Sequence, residues 1–418
     1  MSLFTDASLV VKPSLYKAGK LYSIKPGTGL GDLSVVRNSV KWGFGPNGVL
    51  RQVAANVPLI EYDPVTRVER GLLVEPGGTN SIRNNTMVGA VVGTPGTLPT
   101  NYGEALQGLT RQVIGTGSEI GVEYIDVRFN GTATASADVS LIFESNTQIV
   151  ATNGQTWTNS FFIKKVAEPN APNDYRMTME EWTDAAGFIK SASQTIVPTT
   201  TLTRFVQTRA LDGGGTVARV RSLARFNVTN GNTYDFTVRI GLPQMEQSPV
   251  ATSVMKTSGS TFNRVADVVS LTGASSLIGQ TQGTLYAEVQ ITNFTQGQIF
   301  SVNDATASNR IQLYKFTDSK IYADRISATQ SALTSIGTAV LSAGIYKVAF
   351  AYKTGDSALF VNGVQVGSTI TQTFTFGSMG KVNIGSRFDN TQTFNDHIRS
   401  AVLFPTRKSN AELALLTQ

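Results

Sequence analysis

Apolar and polar positions alternate with a period of two through much of the chain. In TYDFTVRIGL (233–242), Tyr234, Phe236, Val238 and Ile240 share one face, while Asp235, Thr237 and Arg239 share the other. In YKVAFAYK (346–353), Tyr346, Val348, Phe350 and Tyr352 are set against Lys347, Ala349, Ala351 and Lys353. Successive side chains of a strand point to opposite faces, so each segment predicts a strand with one face on a core. Further strands are expected at 122–129, 160–166, 174–180, 204–211, 283–292, 309–316 and 397–404. Between them fall Asn-Gly pairs at Asn47-Gly48, Asn130-Gly131, Asn153-Gly154, Asn230-Gly231 and Asn362-Gly363. A type I′ hairpin needs φ > 0 at both central residues, which Asn and Gly tolerate best. Asn362-Gly363 is the clearest, because ALFV precedes it and VQV follows. Short strands with turn signals about every 8–12 residues predict a sandwich or jelly roll. Helix is expected only at the C-terminus, where Ser409-Asn410-Ala411-Glu412 reads as a capping box before LALLTQ.

These rhythms predict an all-β chain of tandem antiparallel β-sandwich or jelly-roll domains after an extended N-terminal segment. At 418 residues the chain exceeds what one core usually supports. Residues 1–95, rich in Gly, Pro and Asn, read as an irregular segment wrapped on a partner. Residues 96–262 and 263–418 each hold a run of strands, and KTSGSTFNRVADV (256–268) reads as the joint between them.

Composition removes several chemistries. The absence of cysteine excludes disulfides, thiolate catalysis and cysteine metal sites. With one histidine, His397, any Ser-His-Asp triad would have to be built on that residue, and no nucleophile is identifiable beside it. The net charge is +6, but the 35 Lys and Arg are scattered. A solvated surface is the expectation, not nucleic-acid binding. No apolar run approaches the roughly 18 residues of a membrane helix, and the N-terminus does not read as a secretory signal. A soluble protein made in the cytoplasm, without membrane insertion, is expected.

The stretch from Arg37 to Asn80 has a more specific wording. Arg37, Ser39, Gly48, Ala55, Asn56, Pro58, Tyr62, Asp63, Pro64, Gly71, Leu72, Leu73, Glu75, Thr79 and Asn80 stand in an order that resembles a segment of tail and head appendage proteins of bacterial viruses. Leu59 and Glu61 depart from that pattern, where Arg and Asp are usual. Pro243, Gln244, Glu246, Ala251, Thr252, Ser253, Arg264, Ala266 and Asp267 resemble the close of a carbohydrate-binding-module-type jelly roll and its lead into the next module; Ser248 replaces the usual Gly. YKVAFAYKTGDSALFVNGVQVG (346–367), followed by KVNIGS (381–386), resembles concanavalin A-like (laminin G-like) lectin domains. The resemblance implies a structural fibre or spike of a virion, made in the host cytoplasm. It implies binding of host-surface glycans and attachment to other virion proteins through residues 1–95. Arg37, Asn56, Pro58, Tyr62, Asp63 and Pro64 would carry that attachment. Self-association is implied, with a homotrimer expected and a dimer as the alternative. A capsid decoration or head fibre is the second reading, and a polysaccharide-degrading spike the third.

Candidate ligand residues are few. Trp157, Tyr175 and Trp182 are candidate sugar contacts, since pyranose C–H faces pack on aromatic rings; core packing is the leading reading for Trp157 and Trp182. Asp356 and Asp389 are candidate lectin-site acids. Asp304, Asp318, Asp324, Asp356 and Asp389 lie near turns, but no D-x-D-x-D loop indicates Ca²⁺, and no cofactor is expected. Glu180 and Glu181 are adjacent on a predicted strand, so they point to opposite faces and cannot flank one glycosidic bond. No catalytic residue is expected.

Overall fold

The computed structural model describes residues 4–328 and 330–418, with the backbone alone for 330–334. The chain is all-β, and its strands are antiparallel. It divides into two compact units: residues 1–77 together with 265–418, and residues 78–264. The first unit is therefore made of two sequence segments that flank the second. The boundary expected near residue 95 lies instead at 77/78, and residues 1–77 are not a free-standing extended segment.

In the first unit, among the described residues, two large sheets face each other. One runs Tyr16–Lys17, Lys20–Leu21, Leu33–Val36, Val268–Thr272, Lys381–Ile384, Gly297–Asn303, Arg310–Lys315, Ile321–Ser327, Gln330–Gly337. The other runs Val364–Ile370, Ser357–Val361, Gly344–Lys353, Gln282–Ile291, Asp396–Phe404, Glu69–Val74, Ile60–Tyr62, with Leu9–Val11 also paired to Asp396–Phe404. The early segment thus supplies strands to both sheets. Val35 pairs with Val269, Val10 with Val402, and Leu72 with Ile398. Leu9, Leu33, Ile60 and Leu72 share one buried core with Leu285, Phe300, Ile311 and Phe350. The strands of residues 1–77 have at most six residues each, too short to display an alternation. Burying those side chains, at about 25 cal/mol per Å² of apolar surface, holds the segment in place.

Of the six residues expected to carry attachment, Arg37 and Pro58 are internal and the other four are half-buried. Arg37 is fully buried: Nη1 donates to Asp267 Oδ1 at 2.8 Å, Nη2 to the carbonyls of Ala54 and Val57, and Nε to that of Ser39. Asn56, at φ 61°, accepts the Arg37 N–H at 2.7 Å through its side chain. Pro58 is buried. Arg37 spends its donors inside the core and Pro58 is buried, so for these two the attachment expectation is corrected; Asn56 is half-buried. Tyr62, Asp63 and Pro64 lie half-buried at the hairpin between Ile60–Tyr62 and Glu69–Val74.

Asp63 builds that turn. Burial acts to raise its pKa, but the N–H groups of Thr66 and Val65 and the Arg70 guanidinium outweigh it, lowering the value from 3.8 to about 2. A lowered carboxyl stabilises the fold fully above its ordinary pKa and loses that contribution as the pH falls toward the folded value. Asp63→Ala should therefore cost about 1 kcal/mol at pH 7. The difference from the parent should shrink between about pH 4 and pH 2, as read by urea unfolding at each pH.

The turns sort the Asn-Gly signals. Only Asn362-Gly363 has both residues at positive φ, 47° and 84°, as a type I′ hairpin demands. At Asn47, Asn153 and Asn230 only the glycine does, so those turns are of other types. Asn130-Gly131 lies within the strand Val122–Thr132, paired with Asp235 and Tyr234, and is no turn at all. The C-terminal helix is as expected: Asn410–Leu416, with Ser409 and Glu412 forming both halves of the capping box.

The second unit is a sandwich whose sheets run Thr110–Glu119, Val122–Thr132, Thr233–Glu246, Thr156–Asn170, Thr203–Ala210, and Gly103–Ala105, Ala137–Ile142, Arg219–Val228, Asp174–Trp182, Phe188–Ile196. Ile149–Val150 also pairs with Arg219–Val228. Phe129, Phe143, Phe161, Phe226, Phe236 and Met177 fill the space between the sheets.

Candidate functional site

In the second sheet of the 78–264 unit, the strand Arg219–Val228 sits between Ala137–Ile142 and Asp174–Trp182. Val220, Ala224, Phe226 and Val228 point into the core, as do Val139, Leu141, Tyr175, Met177 and Met179. The alternate positions must then occupy the other face: Asp138 and Ser140, Arg221, Leu223 and Arg225, Thr178, Glu180 and Trp182. A groove of about 240 Å³ lies on that face, lined by Gln107, Asp138, Ser140, Arg221 and Arg225 with Ala105, Ile142 and Leu223.

The groove's polar groups are held in a connected array. Glu180 is 3% exposed and accepts from Arg221 Nε, from Arg225 Nη2, and from Trp182 Nε1 at 3.1 Å. Asp138 accepts from Arg176 at 3.2 Å and from Asn227 at 2.9 Å, and Arg225 Nη1 lies 3.9 Å away. Gln107 is fixed by donation to the Asp138 carbonyl at 3.2 Å. Each arginine is paired to a carboxylate, so the lining presents oriented donors and acceptors with its charge compensated. Beside this array Trp182 packs edge-on against Phe188, with centroids 5.4 Å apart, and the Arg221 guanidinium lies 4.4 Å from the Trp182 ring. Phe188 is 56% exposed.

The expected ligand residues do not converge. Trp157 is 3% exposed, a core member with Nε1 donating to Gln155 at 3.1 Å, so its ring offers no face to a sugar. Tyr175 is likewise buried, edge-on to Phe226 and Phe236; burial, then its bond to Glu168, raises its phenol pKa. Trp182 alone lies on the groove's sheet face, outside its lining but against Arg221. Asp356 and Asp389 belong to the other unit. Asp356 closes the turn after Lys353 and accepts from Arg407 at 2.8 Å. Asp389 holds the Thr391 N–H and hydroxyl in a turn; burial acts to raise its pKa, but these bonds and Arg387 bring it below the usual range. Asp389 follows Phe388 in a loop beside a polar row that includes Asn303 and Asn383; Asn390 of that loop accepts from Asn383. Among the described residues no three His, Asp or Glu side chains gather as a metal site.

Glu180 and Glu181 point to opposite faces, as the strand requires: Glu181 accepts from Arg209 and from the Gly213 N–H on the far side. His397 is 4% exposed and bonded through Nε2 to Glu61 at 2.7 Å, a buried structural pair. Arg221, Arg225, Asp138, Gln107 and Phe188 were not singled out from the sequence. The signal for the arginines is the alternation in RVRSLARFNV, where Arg219, Arg221 and Arg225 interleave with Val220, Ala224 and Phe226.

Residues 263–414 match the family model of the concanavalin A-like lectin/glucanases superfamily. That match covers the second of the two segments that make the first unit. No curated protein matches the chain. Among solved structures, the chain is similar to the family 40 carbohydrate-binding module of the Ruminococcus gnavus IT-sialidase bound to α2,3-sialyllactose. The identity is 19%, over 34% of this chain and 86% of that one, with a TM-score of 0.31. Domain 4 of the Geobacillus stearothermophilus extracellular arabinanase, in complex with arabinotriose, is 15% identical over 37% of this chain and 73% of that one, with a TM-score of 0.31. The tripod from the baseplate of bacteriophage Tuc2009 is 11% identical, over 82% of this chain and 98% of that one, with a TM-score of 0.30.

Proposed function

We propose that this chain is a non-enzymatic, glycan-binding appendage protein of a bacterial virus, a fibre or spike subunit that adheres to host-surface polysaccharide. The observation that carries the reading is the groove of the 78–264 unit. Fixed, charge-compensated Arg, Asp and Gln groups lie on one sheet face with the Trp182–Phe188 pair. Such a lining suits a polar ring with apolar C–H faces: the polar array reads hydroxyl positions, and the aromatic rings take the ring face. The groove is smaller than the roughly 300–1,000 Å³ of ligand pockets for larger molecules, which suits one sugar unit of a longer chain. The lectin-family match over residues 263–414 and the appendage-like wording of residues 37–80 support the same reading. A shallow, small site binds weakly, so adhesion would depend on several copies in a homotrimer or dimer on the virion. Of the residues expected to carry attachment, the half-buried Asn56, Tyr62, Asp63 and Pro64 would meet other virion proteins.

The reading is tested by screening the full chain against purified bacterial surface polysaccharides, then titrating the best binder with Trp182→Ala and Arg225→Ala chains. A loss of about tenfold in affinity for each, near 1.4 kcal/mol, is expected with circular dichroism unchanged. Unchanged binding in both variants, or release of oligosaccharide from the polysaccharide, would overturn it.

A further inference from the structure

A second polar cluster lies away from the groove, in the unit formed by residues 1–77 and 265–418. Lys315 ends the strand Arg310–Lys315, and its side chain is fully buried against Asp396, which is 1% exposed. The two are in direct ionic contact through Lys315 Nζ and Asp396 Oδ2. The same Oδ2 also accepts the side-chain amide N–H of Asn293 at 3.2 Å. Lys315 Nζ in turn reaches Asn293 Oδ1 at 3.1 Å and its backbone carbonyl at 2.7 Å. One carboxylate oxygen therefore touches both the amine of Lys315 and the amide nitrogen of Asn293. The Asn293 carbonyl oxygen also accepts the N–H of Thr295 at 3.1 Å and its hydroxyl at 2.7 Å. These donors draw electron density from the amide carbon. Asp396 is held in turn by Thr292, through its N–H at 2.9 Å and its hydroxyl at 2.6 Å onto Oδ1. The fully buried ring of Phe394 stands 4.8 Å from Nζ.

An ordinary buried ion pair would need only the lysine and the aspartate. Here a third group, an amide with a polarised carbonyl, lies within hydrogen-bond reach of both. Burial lowers the Lys315 pKa, with Asp396 opposing, which favours the neutral amine that a nucleophile requires. We propose that Lys315 and Asn293 are joined by an intramolecular amide bond, formed by the chain itself with Asp396 as proton carrier.

The step balances without an oxidant or a cofactor. Asp396 takes a proton from the Lys315 ammonium, and the freed amine attacks Asn293 Cγ. The tetrahedral oxygen is held by the two Thr295 donors; Asp396 returns that proton to the departing amide nitrogen, takes the second proton that Nζ sheds, and ends protonated. The Nζ–Cγ bond forms, the Cγ–Nδ2 bond breaks, and ammonia leaves. The product ties the loop after Gln282–Ile291 to the strand Arg310–Lys315, positions separated by 22 residues. In a chain without cysteine this is a covalent cross-link that needs no oxidising compartment.

Intact-mass measurement of the purified full chain tests the proposal directly. The expected mass is that of the sequence less one ammonia. A tryptic map should show the peptide ending at Arg310 linked to the one that spans Lys315. A Lys315→Met chain should show neither the loss nor the linkage, and Asp396→Ala should show unlinked peptides even where its folding is impaired. An unmodified mass for the parent chain overturns the proposal. So does an ammonia loss that persists in Lys315→Met, which marks an imide at Asn293 instead.

Discussion

Asp267→Ala is expected to lower the stability of the unit formed by residues 1–77 and 265–418 by about 3–5 kcal/mol, the cost of stranding buried charge. Asp267 is 3% exposed and accepts from Arg37 Nη1 at 2.8 Å, from Lys41 Nζ at 2.6 Å and from the Glu75 N–H at 2.9 Å. Lys41 is 1% exposed and has Glu75 at 2.9 Å and the Leu73 carbonyl at 2.8 Å as its other partners. Removing the aspartate leaves two buried cations with one carboxylate between them. An exposed ion pair such as Lys190–Asp212 is worth about 1 kcal/mol or less and is the natural control. Urea unfolding followed by circular dichroism reads both, and a loss for Asp267→Ala no larger than that of the control would refute this account.

The same cluster explains wording that the sequence made visible and misassigned. Arg37 opens the appendage-like segment and Glu75 stands near its close, before Thr79 and Asn80, and Asp267 ends the module-closing one. The Asp267 N–H also bonds the Glu75 carbonyl at 2.9 Å. Glu75 stands just before the chain leaves the first unit at residue 77, and Asp267 just after it returns at 265. The motif residues clasp the two crossings, so their order in the sequence answers to folding before it answers to any partner.

What was legible followed from local rules. Long alternating strands such as Thr233–Glu246 and Gly344–Lys353, the Asn362-Gly363 hairpin and the Ser409 capping box each depend on neighbours in sequence. The nested order of the units was not legible, because it rests on pairings such as Leu9 with Leu403, where three residues carry no readable period. The groove was half legible. Trp182 was singled out with Trp157 and Tyr175, and only the register of Asp174–Trp182 against Arg219–Val228 sets the first on the outer face beside Arg221. A tryptophan's burial depends on which face its strand turns to the core, and Thr156–Asn170 turns Trp157 inward.

Phe226→Ala is the second large effect, about 3–5 kcal/mol, and it should fall on the other unit. Phe226 is fully buried, with ring centroids 5.5 Å from Phe129, 5.7 Å from Tyr175 and 5.3 Å from Phe236. Three rings fixed by two sheets cannot collapse into the space it leaves, so the cavity cost adds to the lost transfer energy. Its strand carries Arg225 on the opposite face, so the core ring and the groove are set by one backbone. Glycan affinity should therefore hold at low denaturant and fall together with the unfolding of residues 78–264. Because Phe226 and Asp267 belong to separate cores, the double variant should lose the sum of the single losses to within about 0.5 kcal/mol. A shortfall well beyond that, or movement of a single shared transition by either variant, would mean that the two cores unfold as one cooperative body.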